Sequence, residues 1–210
     1  GLIPGLGVTT KSGYLYLLNR ESGVPLFGVE ERAVAPSPVP GEAAFPTQPI
    51  PVLPPPVARV SYTPQDLVTA VDTSPAHAEA CAELVAQQGE IINQGPYTPW
   101  VYRPDPASGP VTLLFPGLAG GPNWGGVAFD PATRYALVFS TDLGTFGWVE
   151  DAAPGSAIPY VRGGPRPGSF DVEINGQRLP CQQPPWGTLT AVDTATGEIA
   201  IPGLRAHAPV

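Results

Sequence analysis

Apolar residues along this chain fall in short β-rich runs bounded by turn residues, not in stripes with helical spacing. The run from Lys11 to Gly23 reads KSGYLYLLNRESG, and the run from Pro185 to Gly197 reads PWGTLTAVDTATG. Each has a glycine, a short apolar stretch, then Asn19 or Asp193, and a second glycine four residues on. That pattern predicts a hairpin. Leu15 to Leu18, or Leu189 to Val192, makes a strand, the Asn or Asp side chain opens the turn, and the glycine takes the positive φ that closes it. Extended chain resumes at Pro25 and at Glu198. A third hairpin, VAFDPATRYALVF from Val127 to Phe139, turns at Asp130-Pro131 and would begin a unit that Gly187 to Ile201 completes. Val111 to Phe115 predicts one more strand. A hairpin cannot bury its apolar face alone, so repeated hairpins predict an all-β repeat architecture.

Two stretches break the pattern. Gly28 to Pro110 opens with prolines crowded between Ala35 and Pro64, which predicts extended, irregular chain. Within it, TPQD from Thr63 to Asp66 has the cap, the proline and the acid of a helix start. Ser74-Pro75 predicts a second, surface helix from Pro75 to Gln88, with Ala80, Leu84 and Val85 on one face and His77 in a structural role. Asp142 to Pro185 predicts a second irregular stretch. Both are expected as insertions on a β scaffold.

Composition narrows the function classes. Of 210 residues, 30 are proline and 25 glycine, more than a quarter, a level at which disorder competes with folding. The 42% hydrophobic content argues for a packed core instead. Net charge is −8, and the ten basic residues are scattered singly, which argues against a nucleic-acid partner. No apolar run approaches the ~18 residues of a membrane span. No charged leader precedes an apolar stretch, so a signal peptide is expected to be removed already or to lie outside this sequence. Cys81 and Cys181 are too few for a disulfide scaffold, and their spacing does not suit zinc, with only His77 and His207 to assist. Two buried thiols and one bridge both remain open, the bridge favoured in an oxidising compartment.

Candidate chemistry is sparse. Lys11 is the sole lysine, and alone it reads as a solvated residue at a strand start. Asn123-Trp124 lies between Gly120-Gly121 and Gly125-Gly126. Glycines let backbone approach a ligand, an amide can bond a ligand oxygen, and an indole can pack on a planar ring. A turn Asn beside a packing Trp is the plainer alternative. Trp186 precedes Gly187 much as Lys11 precedes Gly13. Glu30, Glu31 and Arg32 read as a solvated group. No Ser-His-Asp order, phosphate loop or metal-ligand spacing is present.

Several segments, in order, resemble the PQQ-dependent dehydrogenases of the membrane glucose and quinate type, where PQQ is pyrroloquinoline quinone. They are KSGYLYLLNRESGVPL from Lys11, VEER from Val29, VPGE from Val39, PTQP from Pro46, FPG from Phe115, NWGG from Asn123, Asp130-Pro131, and CQQPPWG from Cys181 with AVDTATGE from Ala191. The resemblance implies an eight-bladed β-propeller with PQQ and a divalent cation, usually Ca²⁺, on its axis. This chain would be a fragment of about one and a half blades with long, partly helical insertions. Residues 1–27 would end one blade, 28–110 would be a Pro-rich insertion with short helices, 111–201 the next blade with an irregular insertion at 142–185, and 202–210 a divergent tail. The remaining blades would be its partners.

The resemblance also implies roles. Lys11 would stabilise negative charge on the reduced quinone oxygens, as a fixed cation can. Asn123 and Trp124 would contact the cofactor, with Ser140 as a rival counterpart to the amide, and Trp186 would face the axis. The general base and the cation ligands lie upstream in the family, outside this chain. A tryptophan usual after Glu-Ile-Ala is replaced by Ile201-Pro202. The implied activity is oxidation of a sugar or polyol, glucose- or quinate-type, with electrons passed to a membrane quinone or a cytochrome. The setting would be the periplasm, with membrane association through segments not present here. Two alternatives stand beside it: a non-enzymatic propeller of similar repeats serving binding or assembly, and an inactive truncated dehydrogenase.

Overall fold

The repeated hairpins form, and their turns close as their residues dictate. A computed structural model describes residues 2–165 and 168–205. Strand β1 (Gly5–Thr9) pairs antiparallel with β2 (Leu15–Asn19), where Asn19 Oδ1 accepts the Glu21 and Ser22 N–H groups and Gly23 takes φ 74°. The same device recurs after β13 (Gly187–Asp193), where Asp193 accepts the Ala195 N–H and Gly197 takes φ 76°. Between them, β7 (Val127–Asp130) turns into β8 (Tyr135–Thr141) through Asp130, which accepts from Ala132 N–H and the Thr133 hydroxyl. β8 pairs with β13 from Tyr135 opposite Asp193 to Thr141 opposite Gly187, and β13 pairs with β14 (Ile199–Arg205). The result is a four-stranded antiparallel sheet in the order β14-β13-β8-β7, the form of a propeller blade.

Period-2 alternation decides what this blade buries. Leu15 and Leu17 of β2 pack on Ala136 and Val138 of β8, on Val192 of β13, and on Val57. The β1–β2 ribbon therefore lies face to face against the four-stranded sheet, as the end of one blade lies on the next.

The two stretches expected as irregular come together as a single second unit. Strands β5 (Ile91–Ile92), β6 (Val111–Leu114), β9 (Thr145–Asp151) and β10 (Tyr160–Gly163) form a sheet in the order β10-β9-β6-β5, and β11 (Asp171–Ile174) pairs with β12 (Gln177–Pro180). Residues 142–185 thus carry four strands, which corrects the expectation of irregular chain. Glycines hid β9 and β10. Gly147 interrupts the Phe146 and Trp148 alternation because a Cβ there would meet the Trp100 ring at 2.5 Å. Phe170 anchors the shared core, meeting Tyr62 at 5.2 Å, Phe146 at 5.3 Å and Phe115 at 6.1 Å. The Cys81–Cys181 disulfide, spanning 100 residues, ties one stretch to the other.

Three further expectations change. The proline-rich run is not merely extended: β3 (Val29–Ala33) pairs with β4 (Thr47–Pro51) as a two-stranded ribbon, whose open edge tolerates the missing N–H groups of the exposed Pro49 and the buried Pro51. TPQD makes only a single 3-10 turn, Pro64–Asp66, because the chain is extended again at Leu67. Helix α1 (Pro75–Gln88) starts at Ser74, which accepts the His77 N–H, but it buries His77 and Cys81 instead of lying free on the surface. The backbone of β14 runs past Ile201-Pro202 to Arg205, while 206–210, including His207, lie outside the described residues.

Candidate cofactor site

Four pieces of chain meet at one end of the sheets: the β1–β2 turn, the loop joining β6 to β7, the end of β8 and the start of β13. The Gly121 N–H donates to the Lys11 carbonyl at 3.1 Å, and the Gly121 carbonyl accepts from Thr141 N–H at 3.2 Å. The Thr141 hydroxyl donates to the Gly120 carbonyl at 3.0 Å. Glycine is required at both loop positions. A Cβ on Gly120 would sit 2.7 Å from Lys11 Cγ, and one on Gly121 would sit 2.5 Å from the Ala58 Cβ. The Lys11 stem is thereby held over bare backbone, and among the described residues no carboxylate pairs with it.

Lys11, Asn123 and Trp124 share this end, but their environments differ. Trp124 is 95% exposed, an indole with no packing partner of its own. Asn123 is already engaged: its Nδ2 donates to the Ala119 carbonyl at 2.6 Å and its Oδ1 accepts the Trp124 N–H at 2.8 Å. Ser140 is buried, its hydroxyl bonded to the Val57 carbonyl at 2.8 Å and to Thr188 Oγ1 at 2.7 Å. Trp186 is pinned by its indole N–H to the Gln182 carbonyl at 2.8 Å and stands edge-on to His77 at 6.1 Å.

A buried polar layer that the sequence did not suggest underlies these residues. Asp142 is 4% exposed, and its Oδ1 accepts the Arg59 N–H at 2.6 Å. Its carbonyl accepts from Gln182 Nε2, and its N–H donates to the Trp186 carbonyl at 2.9 Å. Burial pushes the Asp142 carboxyl above its ordinary range, and the Arg59 N–H and charge oppose that only in part. The Arg59 guanidinium reaches Asp66 at 2.8 Å and the Gln183 carbonyl at 3.1 Å. Burial raises Asp66, but Thr63 and Arg59 together outweigh it and hold the carboxyl low. Nothing in a lone Arg after Val57-Ala58, or a lone Asp after a strand, announces such a layer in the sequence. Tyr97 is a second missed residue: its hydroxyl lies 3.3 Å from Ser12 Oγ and its ring stacks on Tyr14 at 6.3 Å.

The one described cluster of metal-ligating type is His77 with Cys81 and Cys181, and both sulfurs are committed to the disulfide. His77 Nδ1 pairs with the Thr73 hydroxyl at 2.8 Å, and burial pushes the imidazole below its usual value.

A four-stranded antiparallel blade with part of its neighbour stacked on one face, and a glycine-lined site at the end of the strands, defines a fragment of a β-propeller. The family described as PQQ, glucose/ethanol/alcohol dehydrogenase, beta-propeller domain, matches residues 1–202, and the chain belongs to it. It is 31% identical to a probable quinate dehydrogenase (quinone) of Xanthomonas campestris pv. juglandis, over 99% of this chain and 28% of that protein. It is 30% identical to a quinate/shikimate dehydrogenase (quinone) of Acinetobacter baylyi, over 94% of this chain and 25% of that protein. A quinoprotein glucose dehydrogenase of Escherichia coli is 24% identical over 94% of this chain and 25% of its own length. The chain spans about a quarter of the length of the curated relatives it matches. No solved structure matches it significantly.

Proposed function

We propose that this segment supplies one wall of the cofactor site of a PQQ-dependent dehydrogenase that oxidises a cyclic polyol of the quinate or glucose type. The observation that carries the reading is the unpaired Lys11, held over Gly120-Gly121 of the same loop that exposes the Trp124 indole. A flat, polyanionic ortho-quinone suits that set: a fixed cation, bare backbone that permits close approach, and an unpartnered aromatic face. When bound, PQQ supplies a two-electron acceptor for the alcohol carbon. Lys11 would hold the quinone oxygens and favour negative charge on them, and Trp124 would pack on the ring system. Asn123 would act by shaping the loop that presents Trp124, since both ends of its amide are used there. Ser140 and Trp186 would set the ends of β8 and β13 beneath the site.

The acceptor would be a quinone, as in the names of the two quinate-type relatives, and a Ca²⁺ ion beside the cofactor would take its ligands from other blades. A periplasmic setting agrees with the disulfide, which persists in oxidising compartments. No described helix is long and apolar enough to cross a membrane.

The test uses the protein at its full natural length, loaded with PQQ and Ca²⁺ and assayed by dye reduction with quinate, shikimate, glucose and glycerol. PQQ-dependent turnover of one of them is expected, with Lys11→Ala lowering kcat by ~100-fold or more, the scale of one lost charge-stabilising donor. Absence of PQQ binding, or turnover untouched by Lys11→Ala, would overturn the reading.

A further inference from the structure

Tyr97 has a backbone that its side chain does not favour. Its φ is 59°, in the left-handed region, which is uncommon for a residue with a bulky ring. Such conformations persist only where surrounding contacts over-determine them. Here the flanking loop does so: Asn93 Oδ1 accepts the Gly95 N–H at 3.0 Å, and the Thr98 hydroxyl donates to the Gly95 carbonyl at 2.6 Å while accepting the Gln94 N–H at 2.8 Å. The loop leaves the edge of the second unit and presents Tyr97 to the β1–β2 turn. There the ring stacks on Tyr14 with 12° between planes, and the hydroxyl faces Ser12, whose own Oγ is 2.8 Å from Thr10. Burial, and then the neighbouring Tyr97 phenol, push Tyr16 up to about 12, and the Tyr16 hydroxyl donates to the Pro49 carbonyl at 2.7 Å.

The turn so braced is the one that carries Lys11. Thr10 and Gly13 close it, with Gly13 N–H donating to the Thr10 carbonyl at 3.1 Å and Gly13 at φ 93°. On its other side the Gly13 position is packed so tightly that a Cβ would lie 2.8 Å from Val60 Cγ1. Lys11 thus projects from a turn gripped by Gly121 and Val60 on one side and by the Tyr97 ring on the other.

We infer that Tyr97 is a positioning residue of the cofactor site: the second unit spends backbone strain to place its ring against the Lys11 turn and so fixes where the ammonium stands. This rests on the cofactor reading of Lys11. The ring carries the effect, because 3.3 Å is long for an O–H···O bond, while centroids 6.3 Å apart and nearly parallel planes lie within the range of an offset stack.

The experiment measures PQQ affinity by equilibrium dialysis with Ca²⁺, and the melting temperature without cofactor, in the full-length protein. Tyr97→Gly and Tyr97→Asn both accept positive φ and remove the ring. Both are expected to weaken PQQ binding ~10- to 100-fold, the scale for a partner that orients a ligand-holding group, with the cofactor-free melting temperature nearly unchanged because strain is relieved. Tyr97→Phe keeps the stack and is expected to restore binding. If Tyr97→Gly and Tyr97→Asn bind PQQ like the unaltered protein while Lys11→Ala weakens it, this inference fails and the cofactor reading stands. If Lys11→Ala is also without effect, the cofactor reading itself fails. Loss of fold in both ring-deleted variants also overturns the inference, since Tyr97 would then be holding the second unit together and not the turn.

Discussion

At the scale of single residues, Asp142 and Gly121 give the sharpest expectations. Asp142 is a carboxyl whose folded-state pKa is raised by burial, so the native state holds its proton more tightly than the unfolded chain does. Its sign is therefore opposite to that of a salt-bridged acid: stability falls as pH rises from the unfolded value, about 3.9, through the folded one, and stays reduced above it. Asp142→Asn keeps an oxygen for the Arg59 N–H and removes the charge. It should raise stability near pH 7 by ~0.5–2 kcal/mol, as removal of one destabilising feature commonly does. The gain should vanish below about pH 3.5, where both forms are neutral. Thermal melts across pH 3–8 check this, and a gain that persisted at low pH would refute the burial argument. Gly121→Ala should cost ~1–3 kcal/mol, because its Cβ would meet the rigid Ala58 Cβ and not the end of a flexible side chain. Denaturant titration would measure it. Lys11 and the NWGG loop came forward through the family resemblance; alone, the lysine reads as a solvated residue and Asn123-Trp124 as a turn beside a packing indole. Arg59, Asp142 and Tyr97 did not come forward, because their meaning comes from partners 83, 83 and 85 residues away.

At the scale of elements, local chemistry was readable and partnership was not. The Asn19 and Asp193 turns, the Asp130 turn and the Ser74-Pro75 start of α1 each carry their instruction within a few residues, and the structure has all of them. Strands β9 and β10 were obscured because Gly147 and Gly163 sit where the Trp100 and Trp148 side chains approach too closely for a Cβ, which erases the alternation that marks a strand; β11 and β12, by contrast, flank a legible Asn175-Gly176 turn. That those strands share a core with α1 could not be read from either stretch alone. The disulfide makes the partnership measurable. It closes a loop of 100 residues between α1 and the segment that feeds β13. Replacing Cys81 and Cys181 together by Ser should cost ~2–5 kcal/mol by releasing that constraint on the unfolded chain. The loss should appear first in the 181–186 segment, where Gln182, Gln183 and Trp186 hold Asp142 and Arg59. Hydrogen exchange comparing the two forms would locate it. Uniform loss of protection across β7, β8, β13 and β14 would show instead that the units unfold as one.

At the scale of the whole molecule, one face of the blade decides the behaviour of this chain on its own. Alternation places Leu15, Ala136, Val138 and Val192 in the core, and the opposite face presents Phe139 and Leu189 as a directly paired couple, 59% and 40% exposed. The next pair on that face, Leu137 and Ala191, is half-buried and buried, so the open part of the face is the Phe139 and Leu189 couple. Apolar cross-strand pairs gain by burial, and an uncovered sheet face with open edge strands invites association. In a closed propeller such a face packs on a neighbouring blade, so the 210-residue chain expressed alone should self-associate. Sedimentation velocity should find a concentration-dependent increase in mass. The double change Phe139→Thr and Leu189→Thr should shift it toward monomer with little loss of melting temperature, because neither side chain contributes to either core. The same chain should not turn over polyols when given PQQ and Ca²⁺, since in the proposed enzyme the general base, worth ~100- to 10,000-fold, comes from another blade. A monodisperse monomer that Phe139→Thr and Leu189→Thr leave unchanged would mean that this face is solvent-exposed by design, and the propeller interface would have to be sought elsewhere on the sheet.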